Sequence, residues 1–283
     1  MNLDLGWFRY LKNVDVLANC TKLTNLNLDF NPNLKNVDVL AKCTNLTSLN
    51  LSDCRSLQNV DGLSNCTKLT NLNLRDCKSL KNVDGLVNCT KLSNLNLYGC
   101  YEIRNVDSLE SCTNLTELNL DSSGIQNVNV LANCTNITEL DLTRCNSLQN
   151  LDGLTNCTTL TNLNLDSCTS LLNVDGLTKC TNLTELDLRN CDSLENLDGL
   201  VNCTNITNLN LRDCRSLKNV DGLANLASLK NLYLKRGFEP NIQASRDQVA
   251  SGGGSWTVKT DDEQPETIPN YEAVLVLVRK LLK

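Results

Sequence analysis

Cys66 to Asn88 reads CTKLTNLNLRDCKSLKNVDGLVN, and the same frame recurs along almost the whole chain. Its first cysteine falls at Cys20, Cys43, Cys66, Cys89, Cys112, Cys134, Cys157, Cys180 and Cys203, which makes seven steps of 23 residues and one of 22. A fixed period of this length marks a solenoid, a stack of short units that each bury an apolar side against their neighbours. One continuous core then runs through a 283-residue chain that would otherwise suggest two domains.

Within the unit, Leu69, Leu72, Leu74, Cys77, Leu80, Val83 and Leu86 form the apolar pattern. Asn71 to Arg75 alternates polar and apolar, which predicts a short strand with its leucines inward. Each later strand is reached after a long return in the same sense, so neighbouring strands are expected to be parallel. Asp84-Gly85-Leu86-Val87-Asn88 predicts a short helical turn on the opposite side, with Asp84 as its N-cap. Asp38, Asp61, Asp107, Asp152, Asp175, Asp198 and Asp221 repeat that position.

The series Leu92, Leu95, Leu97, Cys100 and Ile103, an LxxLxLxx[CN]xxL pattern, resembles the leucine-rich repeat. The continuation NVDGLxNCTxL is similar to the short internalin-like subclass, while cysteine in the usual asparagine slot resembles the cysteine-containing repeats. Asn31 restores the asparagine, and Asp121-Ser122-Ser123-Gly124-Ile125 restores the 22-residue length of the internalin-like unit. The resemblance covers about residues 3–234. It implies an α/β leucine-rich-repeat solenoid: a curved right-handed horseshoe with a parallel β-sheet on the concave face and short helical or 3-10 turns on the convex face. It implies partner binding as the general use, but no single activity, because fold does not fix function.

The sixteen cysteines form two columns, with no CxxC pair. The second runs Cys54, Cys77, Cys100, Cys145, Cys168, Cys191 and Cys214, with Asn31 and Ser123 in the same slot. A slot that accepts Cys, Asn or Ser calls for a small side chain with modest hydrogen-bonding ability, so reduced structural thiols are expected. Reduced thiols in turn suggest an intracellular, cytoplasmic location. Asn19, Asn45, Asn65 and Asn114 each open an N-x-[ST] triplet, but their recurrence with the repeat favours structural turns over sugar sites.

Three regions follow: a solenoid of ten to eleven repeats over 1–237, a loop or linker over 238–268, and an amphipathic helix over 269–283. Pro240, Gly252-Gly253-Gly254, Pro265 and Asp261-Asp262-Glu263 mark the linker. Tyr271, Val274, Leu275, Val278, Leu281 and Leu282 fall on one face of the helix, which would cap the solenoid or dock on a partner. Trp7, Phe8 and Tyr10 are expected to shield the other end. No apolar run approaches the roughly 20 residues of a membrane span. No signal peptide is expected from MNLDLGWFRYLKNVDVL, which lacks a basic segment followed by an apolar one.

A net charge of −6 argues against a nucleic-acid partner, which would call for excess Lys and Arg. The chain has no histidine, which removes histidine-based triads and the commonest transition-metal ligand. A non-enzymatic protein without catalytic residue, metal or cofactor is therefore expected.

The outward positions of the strands form three columns. One column runs from Asn25 through Asn71, Glu117, Glu139, Asn162 and Glu185 to Asn231, and a second from Asp4 through Asn73, Asp141 and Asp187 to Tyr233. A third, more varied column includes Arg75, Tyr98, Asp121, Asp166, Arg189, Arg212 and Lys235. The expectation is an acidic centre of Glu117, Asp121, Glu139, Asp141 and Asp166, and a basic stripe of Arg189, Arg212 and Lys235 beside Tyr233. Segregated charge of this kind orients a partner, and Tyr and Arg are enriched at binding hot spots. Eleven strands at about 4.8 Å spacing offer a track on the order of 50 Å, which suits a protein or peptide better than a metabolite. The chain is thus expected to be a protein-binding scaffold. The alternatives are a structural subunit attached through 269–283 and a secreted or surface recognition protein. The sequence assigns no oligomeric state.

Overall fold

The computed structural model describes residues 1–234, 255–259 and 266–269. They form one sheet in chain order: β1 (Asn2–Asp4), β2 (Asn25–Asn27), β3 (Ser48–Asn50), β4 (Asn71–Asn73), β5 (Asn94–Asn96), β6 (Glu117–Asn119), β7 (Glu139–Asp141), β8 (Asn162–Asn164), β9 (Glu185–Asp187), β10 (Asn208–Asn210), β11 (Asn231–Tyr233), β12 (Ser255–Lys259) and β13 (Glu266–Pro269). β1 to β12 are parallel and β13 pairs antiparallel to β12. The architecture is a leucine-rich-repeat solenoid, with the sheet concave and 3-10 turns on the opposite side. No α-helix occurs among the described residues.

Each of the first ten strands is three residues long because its hydrogen-bonding run ends on a side chain. The second outward residue folds back and accepts the N–H two positions on. Asn73 Oδ1 takes Arg75 N at 3.0 Å, Asn96 takes Tyr98 N at 2.9 Å, and Asp187 takes Arg189 N at 2.9 Å. Only a short side chain with a carbonyl or carboxylate oxygen closes this turn. The uniform Asn/Asp column is therefore structural, and the third column starts the turn rather than lying in the strand. The residue after the third-column position is left-handed in each of the first ten repeats, including Asp76 (φ 56°), Arg144 (φ 57°) and, in the one case where glycine supplies it, Gly99 (φ 71°).

Register matches equivalent repeat positions throughout, even across the 22-residue step, where Glu117 faces Glu139. The missing residue is absorbed after the strand, where Gly124 N bonds Ile103 O at 2.8 Å.

On the convex side the 3-10 turns begin at the expected aspartates, but these are not the caps. Asp84 is the first helical residue after Val83, whose side chain makes no capping bond. Asn82 does that work: its Oδ1 accepts Asp84 N at 3.2 Å, and Asn59, Asn150 and Asn173 repeat the bond. The reason is spacing, since an Asx turn caps the residue two positions later. Turn length also follows sequence. DVLAN, DVLAK, DSLES, NVLAN and DGLAN give five-residue turns, whereas Ser, Val or Thr after the leucine stops the turn at three. Ala and Glu continue a helix readily; β-branched residues and Ser do not.

The core is a single column of leucines, valines and cysteines from Val14 to Leu234. All sixteen cysteines are unpaired, and fifteen are buried. In the second column each thiol donates to a leucine carbonyl of the preceding repeat, as in Cys77 to Leu51 O (3.2 Å), Cys168 to Leu142 O (3.1 Å) and Cys214 to Leu188 O (3.0 Å). Asn31 uses its amide in the same way, donating to Leu28 O (2.8 Å) and Leu5 O (2.9 Å), and Ser123 meets Cys145 Sγ at 3.5 Å. The slot selects a small hydrogen-bond donor. Burial pushes Cys66, Cys89, Cys157 and Cys180 up to about 12, so their thiolate fraction at neutral pH is negligible. A thiol-exchange reagent should therefore label half-buried Cys20 first and the remaining fifteen only as the solenoid unfolds. Fewer than sixteen thiols in denaturant would reveal disulfides.

Both ends depart from expectation. The span 238–268 is not wholly linker: β12 falls in it and adds to β11 with Leu232 aligned on Val258, and β13 extends the sheet further. Alternation of polar and apolar residues in Ser255–Lys259 was the available signal, masked by the glycines and acids around it. The helix expected over 269–283 lies outside the described residues apart from Pro269, which ends β13. At the N-terminus Trp7 stacks on Phe30 with ring centroids 4.0 Å apart. Trp7, Phe8 and Tyr10 nevertheless remain exposed, and the core proper starts at Val14.

Candidate functional site

The concave face holds a groove of about 1180 Å³ that runs across nine strands, β3 to β11. Its floor is made by the first two outward columns, with the central leucines beneath. Of the residues singled out from sequence, Glu117, Glu139, Asp141, Glu185, Asp187 and Tyr233 line it. Arg75, Tyr98, Asp121, Asp166, Arg189 and Arg212 do not, because they sit in the turn past the strand and form a rim. Lys235 lies outside the described residues.

On the rim, Asp121 and Asp166 of the expected acidic centre and Arg189 of the expected basic stripe are taken up in internal ion pairs. Parallel register places residues one repeat apart side by side, and these pair. Arg144, which sequence reasoning passed over, grips nearly buried Asp121 with two bonds, Nε to Oδ1 at 3.0 Å and a terminal guanidinium nitrogen to Oδ2 at 2.7 Å. Arg189 likewise pairs with Asp166, which also accepts from Asn190 and Ser167. Burial alone would push the Asp166 carboxyl up, but these three donors outweigh it and hold the group below its ordinary value. The spacing of 23 residues between Asp121 and Arg144, and again between Asp166 and Arg189, was the missed signal. Aromatic contacts complete the rim: Arg75 and Arg144 lie 4.8 and 6.0 Å from the Tyr98 ring centre, and Arg212 lies 5.3 Å from that of Tyr233. These distances fit cation–π attraction.

The floor is chemically different. No Lys or Arg occurs in its two columns from Asn25 and Asp4 to Asn231 and Tyr233. Asn231 amide donates to Asn208, and Asn50 to Asn27 (3.0 Å), so amide ladders tie repeats together. Glu117 and Glu139 face each other across adjacent strands, exposed, and neither carboxylate has a hydrogen bond or ion pair among the described residues. Half-buried Asp187 is raised above its ordinary value, first by burial and also by nearby Asp166, against the lowering pull of Arg189. Asp187→Asn keeps the turn-closing acceptor and is expected to stabilise the fold at pH 7. The sign is fixed by the raised folded-state value: the charged form is disfavoured in the folded protein above it. The gain should therefore shrink as pH falls through that value and vanish below the unfolded one, as thermal melts of both proteins across pH 3 to 7 would report. Among the described residues no group of three His, Cys, Asp or Glu stands close enough to hold a metal ion. No helix among them is long and apolar enough to cross a membrane.

Comparison with known structures agrees with this geometry. An internalin (inlF) from Listeria monocytogenes is similar with a TM-score of 0.60 at 20% identity, over 78% of this chain and 70% of that one. The functional domain of InlJ from Listeria monocytogenes, described as including a cysteine ladder, gives a TM-score of 0.61 at 25% identity. The match covers 82% of this chain and 53% of that domain. The ectodomain of the Arabidopsis receptor kinase HAESA, in complex with an N-terminally extended IDA peptide hormone ligand, gives 0.55 at 22% identity, over 82% of this chain and 42% of that one. No curated protein matches. The repeat model for the BspA-type leucine-rich repeat region matches six copies, over residues 10–122 and 120–236. The chain therefore belongs to the BspA-type leucine-rich-repeat family.

Proposed function

We propose that the protein is a rigid recognition scaffold that holds a protein or peptide partner in its concave groove. The observation that carries this reading is the groove itself, continuous over nine strands and lined by outward side chains whose frame is locked. Leucines and cysteines are buried beneath it, and Asn amides brace it from repeat to repeat. A pre-formed face of this kind loses little conformational entropy on binding. The length of the track favours an extended polypeptide over a small molecule. We read the protein as non-enzymatic, since fifteen of its sixteen thiols are buried, and as intracellular, since unpaired cysteines persist in a reducing compartment.

The test is selection from a displayed library of random 12-residue peptides. Asn162 sits mid-groove, and its side chain makes no bond within the described fold, so Asn162→Trp blocks the floor without removing a structural contact. Selected peptides should lose at least about tenfold in affinity for Asn162→Trp and none for Gln149→Arg, an exposed position outside the groove. Peptides that bind both variants alike, or no enrichment at all, would overturn the concave reading.

A further inference from the structure

We propose that the concave groove takes an extended basic segment, with two Arg or Lys side chains three residues apart seated over β7 and β9. The inference rests on the concave reading above and adds the chemistry of the occupant. Two strands present a carboxylate at both outward positions, Glu139 with Asp141 on β7 and Glu185 with Asp187 on β9. Between them β8 presents only Asn162 and Asn164. Glu117 on β6 extends the first group by one strand.

Structural need does not account for these charges. At the second outward position the turn-closing bond is made by asparagine in most repeats, including Asn73, Asn96, Asn164 and Asn210. Aspartate at 141 and 187 supplies the same acceptor and adds a charge. In the first column, Glu117 directly opposite Glu139 places like charges across a strand pair, an arrangement that is unfavourable without a counterion. The rim shows what the same scaffold does when it neutralises an acid internally: Asp121 and Asp166 each receive an arginine from the next repeat. Among the described residues the floor carboxylates receive no guanidinium bond. From neighbouring repeats Asp141, Glu185 and Asp187 accept only neutral amide hydrogen bonds, given by Asn119, Asn208 and Asn210. Arg189 acts on Asp187 from the rim, and the floor itself contains no cation. They are also too dispersed to share one metal ion. The complementary ligand is thus a chain bearing separated positive charges.

Spacing specifies that chain. Strands two apart stand about 9.6 Å from each other, and a segment in the extended polyproline II conformation advances about 3.1 Å per residue with about three residues per turn, which returns every third side chain to the same face. Cations at i and i+3 therefore match β7 and β9, and a peptide crossing the strands meets β8's asparagines with its intervening backbone.

The experiment uses the full chain and a fluorescein-labelled 12-residue Ser/Ala peptide with arginine at its fifth and eighth positions, read by anisotropy at low ionic strength. Comparison peptides carry glutamate at those positions, or the two arginines adjacent. The floor variant Glu139→Gln, Asp141→Asn, Glu185→Gln, Asp187→Asn retains the turn acceptors. A control variant, Asp152→Asn, Asp175→Asn, Asp198→Asn, Asp221→Asn, changes net charge equally at the convex turns. The spaced arginine peptide should bind the wild type and the control alike, at least about tenfold weaker to the floor variant, and more tightly than either comparison peptide. Equal loss in floor and control variants, no binding of the spaced peptide, or preference for the glutamate peptide would overturn the proposal. Library peptides that are blocked by Asn162→Trp but indifferent to the floor variant would overturn it while leaving the concave reading standing. Insensitivity to Asn162→Trp as well would remove both.

Discussion

Aspartate in place of Cys168 should destabilise the protein by at least about 4 kcal/mol, while asparagine at the same position should cost under about 1.5 kcal/mol. The two replacements have nearly the same shape, so the difference isolates hydrogen-bond polarity. Cys168 is fully buried and its thiol donates to Leu142 O at 3.1 Å. Asparagine keeps a donor there, as Asn31 does in an earlier repeat with bonds to Leu28 O and Leu5 O. Aspartate would lay an uncompensated buried charge against a carbonyl oxygen. Asn31 Oδ1 is buried without a partner, a penalty that cysteine avoids and that accounts for a modest cost of asparagine. Urea unfolding of both variants measures the contrast; equal costs would show that the slot reads size alone. Because each repeat touches only its neighbours, the Cys168→Asp lesion should also broaden the transition as the two halves uncouple.

Valine at Gly153 is the second large effect, expected at about 2–4 kcal/mol. A Cβ at this position would lie 1.8 Å from Val128 O and 2.4 Å from Val128 C, which are backbone atoms of the preceding turn. Gly85, Gly176 and Gly199 meet the same wall at 2.0, 1.9 and 1.9 Å. Val39, Ser108 and Val130 stand in this slot in other repeats, all of them with five-residue turns, so the fold accommodates a side chain there. The reverse change, Val130→Gly, should accordingly cost under about 1.5 kcal/mol. Similar costs for both directions in denaturant melts would argue that turn spacing adjusts freely.

Much of this architecture was legible in the sequence. The 23-residue period, the leucine alternation and the repeated DGL placed strands, core and turns, because a solenoid forms each contact between residues one period apart. The two cysteine columns pointed to a small buried slot because Asn31 and Ser123 share it. The first two outward columns fall on the strands, whose side chains alternate strictly between faces, whereas the third begins the turn.

Tertiary structure decided what those side chains do. Whether a charge is spent inside the protein depends on which neighbour lies one strand away and how far its side chain reaches. Arg144 thereby reaches Asp121 and Arg189 reaches Asp166, drawing two acids of the expected centre and one base of the expected stripe into internal pairs on the rim while Glu117, Glu139 and Asp141 stay on the floor. The same register sets Glu117 against Glu139 with no partner. The sheet's extension through Ser255–Lys259 and Glu266–Pro269 also needed the structure, because outside the repeat a strand forms only where an existing edge offers it hydrogen bonds. Sequence alone thus determined the frame, which follows from local periodicity. Only the folded chain separated carboxylates already answered by arginine from those left facing the groove, because that distinction is made by distances across repeats.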